Sequence, residues 1–215
     1  MAELNHIPEV YVEKHNQCVV AWCKTIFDES FLRDNTKLST ADLQKLSKIQ
    51  APNRRCEWLC VRWLLQRISP TYFEIRYHES GKPYVHEAPF SISISHCNDI
   101  VCIVINESGG CVGVDCEQIA QRVVKVKHKF LTAQETILAA KNELLYSTII
   151  WSAKEALYKL YEIGEIDFKE HLHVGDFEFN PEGGTFTGNI TKNGLKTFLM
   201  NYKLLNNTIL VWATE

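Results

Sequence analysis

Two carboxylates, Asp115 and Glu117, stand one residue apart in GVDCEQ (113–118). Successive side chains alternate along an extended chain, so the pair points to one side. Two hard oxygen ligands on a rigid element, with room left for water and phosphate oxygens, suit Mg2+, which seldom takes an all-protein cage. The plain alternative is a solvated strand end with two incidental acids. Further along, Ala153, Ala156, Leu157, Leu160 and Tyr161 form one apolar stripe at helical spacing, and Trp151, Glu155, Tyr158, Lys159 and Glu162 lie opposite. Two aromatics on the polar side imply that this face meets another part of the protein or a ligand. Glu155 and Lys159, four apart, then sit in a partly enclosed place rather than forming an ordinary surface pair. A third feature is QRVVKVKHKF (121–130), with Arg122, Lys125, Lys127, Lys129 and His128 and no acid, in a chain of net charge −3. Such a strip can orient an acidic partner, the alternative being a solvated basic helix face.

These residues need elements to place them. An apolar run at 17–25 reads as a strand, and Ser39 and Thr40 are cap candidates for a helix over 39–49. Residues 52–68 open with proline and are apolar around most of a helical circumference, which predicts a buried helix. Strands follow at 72–78, 90–95 and 99–106, with a turn at 79–83. ESGG (107–110) is the candidate boundary. After it come a strand at 111–119, a helix at 132–145 with Thr132 and Glu135 spaced as a capping box, and a long helix ended by Gly164. Strands then follow at 173–180, 184–190, 195–204 and 208–214. The order strand, helices, antiparallel strands occurs in both halves. It predicts an α+β protein of two similar halves, 1–107 and 108–215, each with helices packed on an antiparallel sheet and with a site between them.

With 215 residues, 46% of them apolar, the chain can bury a substantial core. Its charge argues against a generally basic nucleic-acid binder. No basic start followed by an apolar stretch appears at the N-terminus, and no window approaches 18 apolar residues, so the expectation is a cytoplasmic protein without a membrane partner. Most of the eight cysteines lie in apolar runs and read as reduced core thiols.

GVDCE (113–117), FLTAQE (130–135) and WSAKEALYK (151–159) follow in order the V/I-G-V/I-D-x-E, F-x-x-x-x-E and W-x-x-K-E-A-x-x-K motifs of the surfactin-synthetase-type phosphopantetheinyl transferases. GKP (81–83) and SISHC (93–97) match that family's upstream motifs. The chain resembles this family over most of its length. The resemblance implies a pseudo-twofold fold and transfer of the 4′-phosphopantetheine group of coenzyme A to a serine of an apo acyl or peptidyl carrier protein, releasing adenosine 3′,5′-bisphosphate. It implies Asp115, Glu117 and Glu155 as Mg2+ ligands, Glu155 as the base, Glu135 as a supporting catalytic residue and Lys159 on the leaving phosphate. Lys154 points ~100° round the helix from Glu155 and reaches a different phosphate or packs structurally. Lys82, Ser95 and His96, with Arg54, Arg55 and Arg62, become contacts to the nucleotide phosphates. Arg122, Lys125, Lys127 and Lys129 become contacts to the carrier, and a monomer suffices. The sequence departs from the family at Cys116, usually aliphatic, and at Cys97, usually serine; thiols facing the core would be inert. Other readings are a different Mg2+-dependent phosphoryl-transfer enzyme or nuclease using the same carboxylates, or a noncatalytic module that binds coenzyme A or a carrier.

Overall fold

A computed structural model describes residues 8–97, 99–161 and 165–215. Glu162 and Gly164, expected on and just after the long helix, lie outside the described residues. Strands β1 (Val10–His15) and β2 (Cys18–Lys24) form a hairpin turned at Asn16, whose φ of 52° is a left-handed conformation asparagine tolerates. Helices α1 (Glu29–Asp34) and α2 (Thr40–Ser47) lead to α3 (Pro52–Ile68). Ser39 caps α2 in a reciprocal box with Asp42. A small hairpin, β3 (Ile75–Tyr77) with β4 (Pro83–Val85), precedes β5 (Ser91–Cys97) and β6 (Ile100–Asn106). The chain continues through β7 (Val112–Gln118), α4 (Gln121–Val126), a 3-10 turn over Lys127–Lys129, α5 (Ala133–Ala139) and α6 (Glu143–Leu160). It closes with β8 (Leu172–Val174), β9 (Gly184–Ile190), β10 (Lys196–Leu205) and β11 (Thr208–Thr214).

The architecture is mixed helix and antiparallel sheet, in keeping with α+β. One sheet has the order β1-β2-β6-β5 and the other β7-β11-β10-β9-β8. In each, the strand that leads into the helices pairs with the last strand, and that with the one before it. Side-chain alternation then stacks four layers. Ala21, Cys23, Val101, Ile103 and Ile92 face α3, whereas Val20, Trp22, Cys102 and Val104 face Val112, Val114, Leu210 and Trp212 of the second sheet. The opposite side of that sheet, including Ile209, Val211 and Ala213, packs on α6. Strand β6 is covered on both faces, which is why 99–106 reads as a continuous apolar run. Strand β5 alternates serine with isoleucine because its serines face the joint between the sheets.

Three expectations change. Strand β1 and helix α1 were not foreseen, since β1 is an edge strand with mostly exposed side chains and α1 is under two turns. The helix expected at 132–145 is two, because Asn142 caps a new start by accepting from Leu145 N–H at 3.3 Å. The strand expected at 173–180 covers only 172–174. Beyond it, Phe179 and Asn180 N–H donate to the Tyr146 and Tyr202 hydroxyls instead of to a ladder. No described helix is long and apolar enough to cross a membrane.

Candidate functional site

Gly113 seats helix α6 on strand β7. A Cβ on this residue would lie 1.9 Å from the Ala156 carbonyl oxygen, so only glycine allows this approach. Asp115 and Glu117, on the same side of β7 as Gly113, are thereby brought to Glu155 and Lys159 on α6. The Lys159 ammonium donates to Asp115 Oδ1 at 2.9 Å, Val114 O at 2.9 Å and Ser95 Oγ at 3.1 Å. Its three protons are all placed. Ser95 in turn donates to Asp115 Oδ1 at 3.0 Å and accepts from Cys116 N–H at 3.2 Å. Ser93 accepts from Val114 N–H at 3.0 Å and Ser91 donates to Gly110 O, so alternate serines of β5 take the place of a backbone ladder along β7.

Charge in this cluster is unevenly met. Asp115 holds Lys159, and Glu117 pairs with Arg122. Among the described residues Glu155 forms no ion pair of its own, and burial, with the Asp115 and Glu117 charges adding and Lys159 opposing, pushes its carboxyl up to about 7. Burial works to lower Lys159, but Asp115 holds the ammonium above its ordinary range. Among the described residues no three metal-ligating side chains already surround one point.

Beside this cluster opens a cleft of about 1260 Å³ between the two halves. Lys45, Arg54, Arg62, Lys82 and Lys159 line it, against Glu57 and Glu79 among the lining acids, so its walls favour an anion. Tyr158, from the polar helix face whose aromatics were conspicuous, and Tyr161, from the end of the apolar stripe, close one side. His96 meets Arg54 Nη1 at 2.6 Å through Nε2 and lies near Glu57; burial holds its imidazole below the ordinary range, with Arg54 and Lys159 adding to the effect. Arg62 is buried at 3% exposure, pairs with Asp42 at 2.7 Å and lies 3.1 Å over the Trp58 ring. Its Nη2 and the Trp58 Nε1 are buried in the cleft wall without a hydrogen-bond partner among the described residues. Such donors suit an acceptor on a bound molecule.

The other sequence candidates fall elsewhere. Ser95 stands behind the cleft, its hydroxyl used by Asp115, Lys159 and Cys116. Arg55 bonds Glu29 at 2.7 Å and the carbonyls of Ile49 and Gln50, fastening α1 to the start of α3. Glu135 and Lys154 are not in the cleft. They form a buried pair with each other at 2.7 Å, so the phosphate contact and catalytic support expected of them give way to a structural position. In the basic strip Arg122 and Lys127 are paired with Glu117 and Glu143, whereas Lys125 and Lys129 are exposed and make no ion pair among the described residues. Cys97 and Cys116 lie in the joint between the sheets, where thiol hydrogen bonding and burial raise both, so they are protonated core groups. Lys45, which lies 3.4 Å over the Tyr77 ring, and Trp58 were missed, because neither carries a motif and only the fold brings α2 to the cleft.

Residues 111–201 match the family model described as the 4′-phosphopantetheinyl transferase superfamily. The matched segment runs from the start of the second half into β10. It contains Asp115, Glu117, Glu135, Lys154, Glu155 and Lys159, but not the cleft wall built from α2, α3 and β4. No curated protein matches the sequence.

Proposed function

We propose that the protein transfers the 4′-phosphopantetheine group of coenzyme A to a serine hydroxyl of an apo acyl or peptidyl carrier protein, with Mg2+, releasing adenosine 3′,5′-bisphosphate. The observation that carries this reading is the Asp115, Glu155 and Lys159 cluster at the edge of a cationic cleft, within a segment similar to a phosphopantetheinyl transferase family. Corresponding strand order in the two sheets supports a pseudo-twofold relation between the halves. Both walls of the cleft come from one chain, so a monomer is the working unit.

The donor set fits a hard divalent cation. Asp115 and Glu117 share one side of β7, and Glu155, raised first by burial and then by the Asp115 and Glu117 charges, stands where a cation would be favoured. Mg2+ held by Asp115, Glu117 and Glu155 would neutralise the coenzyme A diphosphate as its P–O bond breaks. The protein's own groups do the rest. Arg54, Arg62, Lys82 and His96 bind the nucleotide phosphates from the first half. Glu155 takes the proton of the attacking serine on one carboxylate oxygen, and its other oxygen allows it to hold a cation as well. The serine oxygen attacks the phosphorus nearer the pantetheine arm, and the electron pair of the broken bond leaves on the bisphosphate. Lys159 reaches that leaving oxygen only by releasing one acceptor. Ser95 Oγ, neutral and the longest of the three contacts, is the one it exchanges. Lys125 and Lys129 present charge to an acidic carrier.

Intact-mass spectrometry of an apo acyl carrier protein and an apo peptidyl carrier protein, each incubated with this protein, coenzyme A and Mg2+, should show a phosphopantetheine mass gain that EDTA prevents. No gain on either carrier, together with no coenzyme A binding by calorimetry, would defeat the reading.

A further inference from the structure

Lys154 lies on α6 five residues before Lys159, and none of its side chain reaches solvent. Its ammonium donates to Phe130 O at 2.6 Å, Glu135 Oε2 at 2.7 Å and Phe168 O at 2.9 Å. Glu135 Oε2 also accepts from Thr132 N–H at 2.8 Å, and its Oε1 accepts from Val174 N–H at 2.9 Å. Three protons and both carboxylate oxygens are therefore used inside the protein, leaving nothing for a ligand. Five pieces of chain meet there: α6, the end of the basic strip, the start of α5, the 165–171 segment and β8.

These pieces do not depend on the pair equally. Helix α6 is held by Ala153, Ala156, Leu157 and Leu160 in the core and by its seat on Gly113. Residues 165–171 contain no helix or strand, and the strip ends in a single 3-10 turn. For both of these the lysine is the donor to a buried carbonyl that a ladder would otherwise satisfy. Beside the pair, Trp151 meets the Phe130 ring at 5.0 Å and the Phe168 ring at 5.5 Å, and Phe168 meets Tyr158 at 5.6 Å, a line of rings from the strip to the cleft.

We propose that Lys154 and Glu135 are positioning residues for the protein substrate: the buried pair holds the end of the basic strip and the 165–171 segment against α6, fixing Lys125 and Lys129 relative to Glu155 and Lys159. This rests on the function proposed above and assigns the pair to docking of the carrier rather than to chemistry or coenzyme A binding. Lys154→Met combined with Glu135→Gln removes both charges together, so no unpaired charge is buried, and Gln keeps an acceptor for Val174 N–H. The double variant should raise KM for an apo acyl carrier protein at least tenfold while kcat stays within threefold and coenzyme A affinity, by calorimetry, within twofold. Amide exchange should quicken at 127–131 and 166–174 and not in β2, β5 and β6. Unchanged carrier KM and unchanged exchange in those segments would overturn the proposal, as would a parallel loss of coenzyme A affinity and kcat. Should the variant not fold, the wild type decides: Thr132 and Val174 amides must exchange as slowly as those of β11, and loop-like rates would overturn it. If the wild type modifies no carrier and binds no coenzyme A, the functional reading fails, and the same exchange rates still decide whether the pair holds these segments.

Discussion

Lys154 and Lys159 occupy the same helix, each bonded to a carboxylate at under 3 Å and to a backbone carbonyl, yet the charge and solvent around them differ. Around Lys154 the remaining acceptors are neutral carbonyls, and its partner Glu135 is saturated by backbone N–H groups. Burial lowers Lys154 in spite of Glu135. Around Lys159 stand two further carboxylates, Glu117 and Glu155, and an open cleft. There Asp115 outweighs burial and raises the ammonium. A buried pair closed on all sides orders the chain near it. A pair with surplus negative charge and an opening is poised to exchange partners.

Replacing each lysine in turn should separate the two regions most widely. Lys159→Met should lower kcat for carrier modification by about 100- to 1000-fold, as expected for loss of a charge that stabilises a leaving group, with a smaller loss of Tm than at Lys154, because Asp115 borders an open cleft. Lys154→Met alone strands a buried carboxylate, which costs about 3–5 kcal/mol, so Tm should fall by roughly 10 °C. The same profile from both, in thermal melts and steady-state kinetics, would erase the distinction. Next in size is the seat of the helix. Gly113→Ala places a methyl against the Ala156 carbonyl and should cost about 1–3 kcal/mol of stability. It should also cut kcat, because Asp115 and Lys159 lie across that contact; urea melts and kinetics that match wild type would remove the seat from the account.

The smallest effect concerns the surplus charge itself. A carboxyl raised from its ordinary 4.5 to about 7 in the folded protein contributes no penalty below 4.5, an increasing penalty as pH rises to about 7, and a constant one above. Glu155→Gln should therefore stabilise the protein by roughly 1–2 kcal/mol at pH 8 and by almost nothing at pH 4.5. An equal gain at both values in urea unfolding would show that the carboxylate is not crowded.

Much of this was legible wherever one local rule governs. Pro52 with an apolar circumference foretold α3, and alternation foretold that Asp115 and Glu117 share a side. Tyr158 on a polar face foretold the cleft. What stayed hidden depends on pairing across the chain. Glu135 was readable as the far member of a capping box with Thr132, but its second oxygen bonds a backbone group 39 residues away. Nothing local to Arg62 shows that Asp42, on another helix, holds its Nε and leaves Nη2 for a ligand. The alternation of serine and isoleucine in β5 marks a strand but not what its serines meet. Ser93 and Ser95 answer N–H groups of β7, and Ser91 donates to the Gly110 carbonyl just before it.

That last feature sets how the two halves can be taken apart. Among the described residues no strand pairing of either sheet crosses residue 108. The halves are joined by an apolar joint, a cleft, a row of hydroxyl pegs and the Lys203–Glu13 ion pair. A chain severed in the 107–110 turn keeps every ladder whole, so the protein is suited to split-fragment complementation. Each fragment would carry one wall of the cleft, and the pegs at Ser91, Ser93 and Ser95 would set the register in which they reassemble.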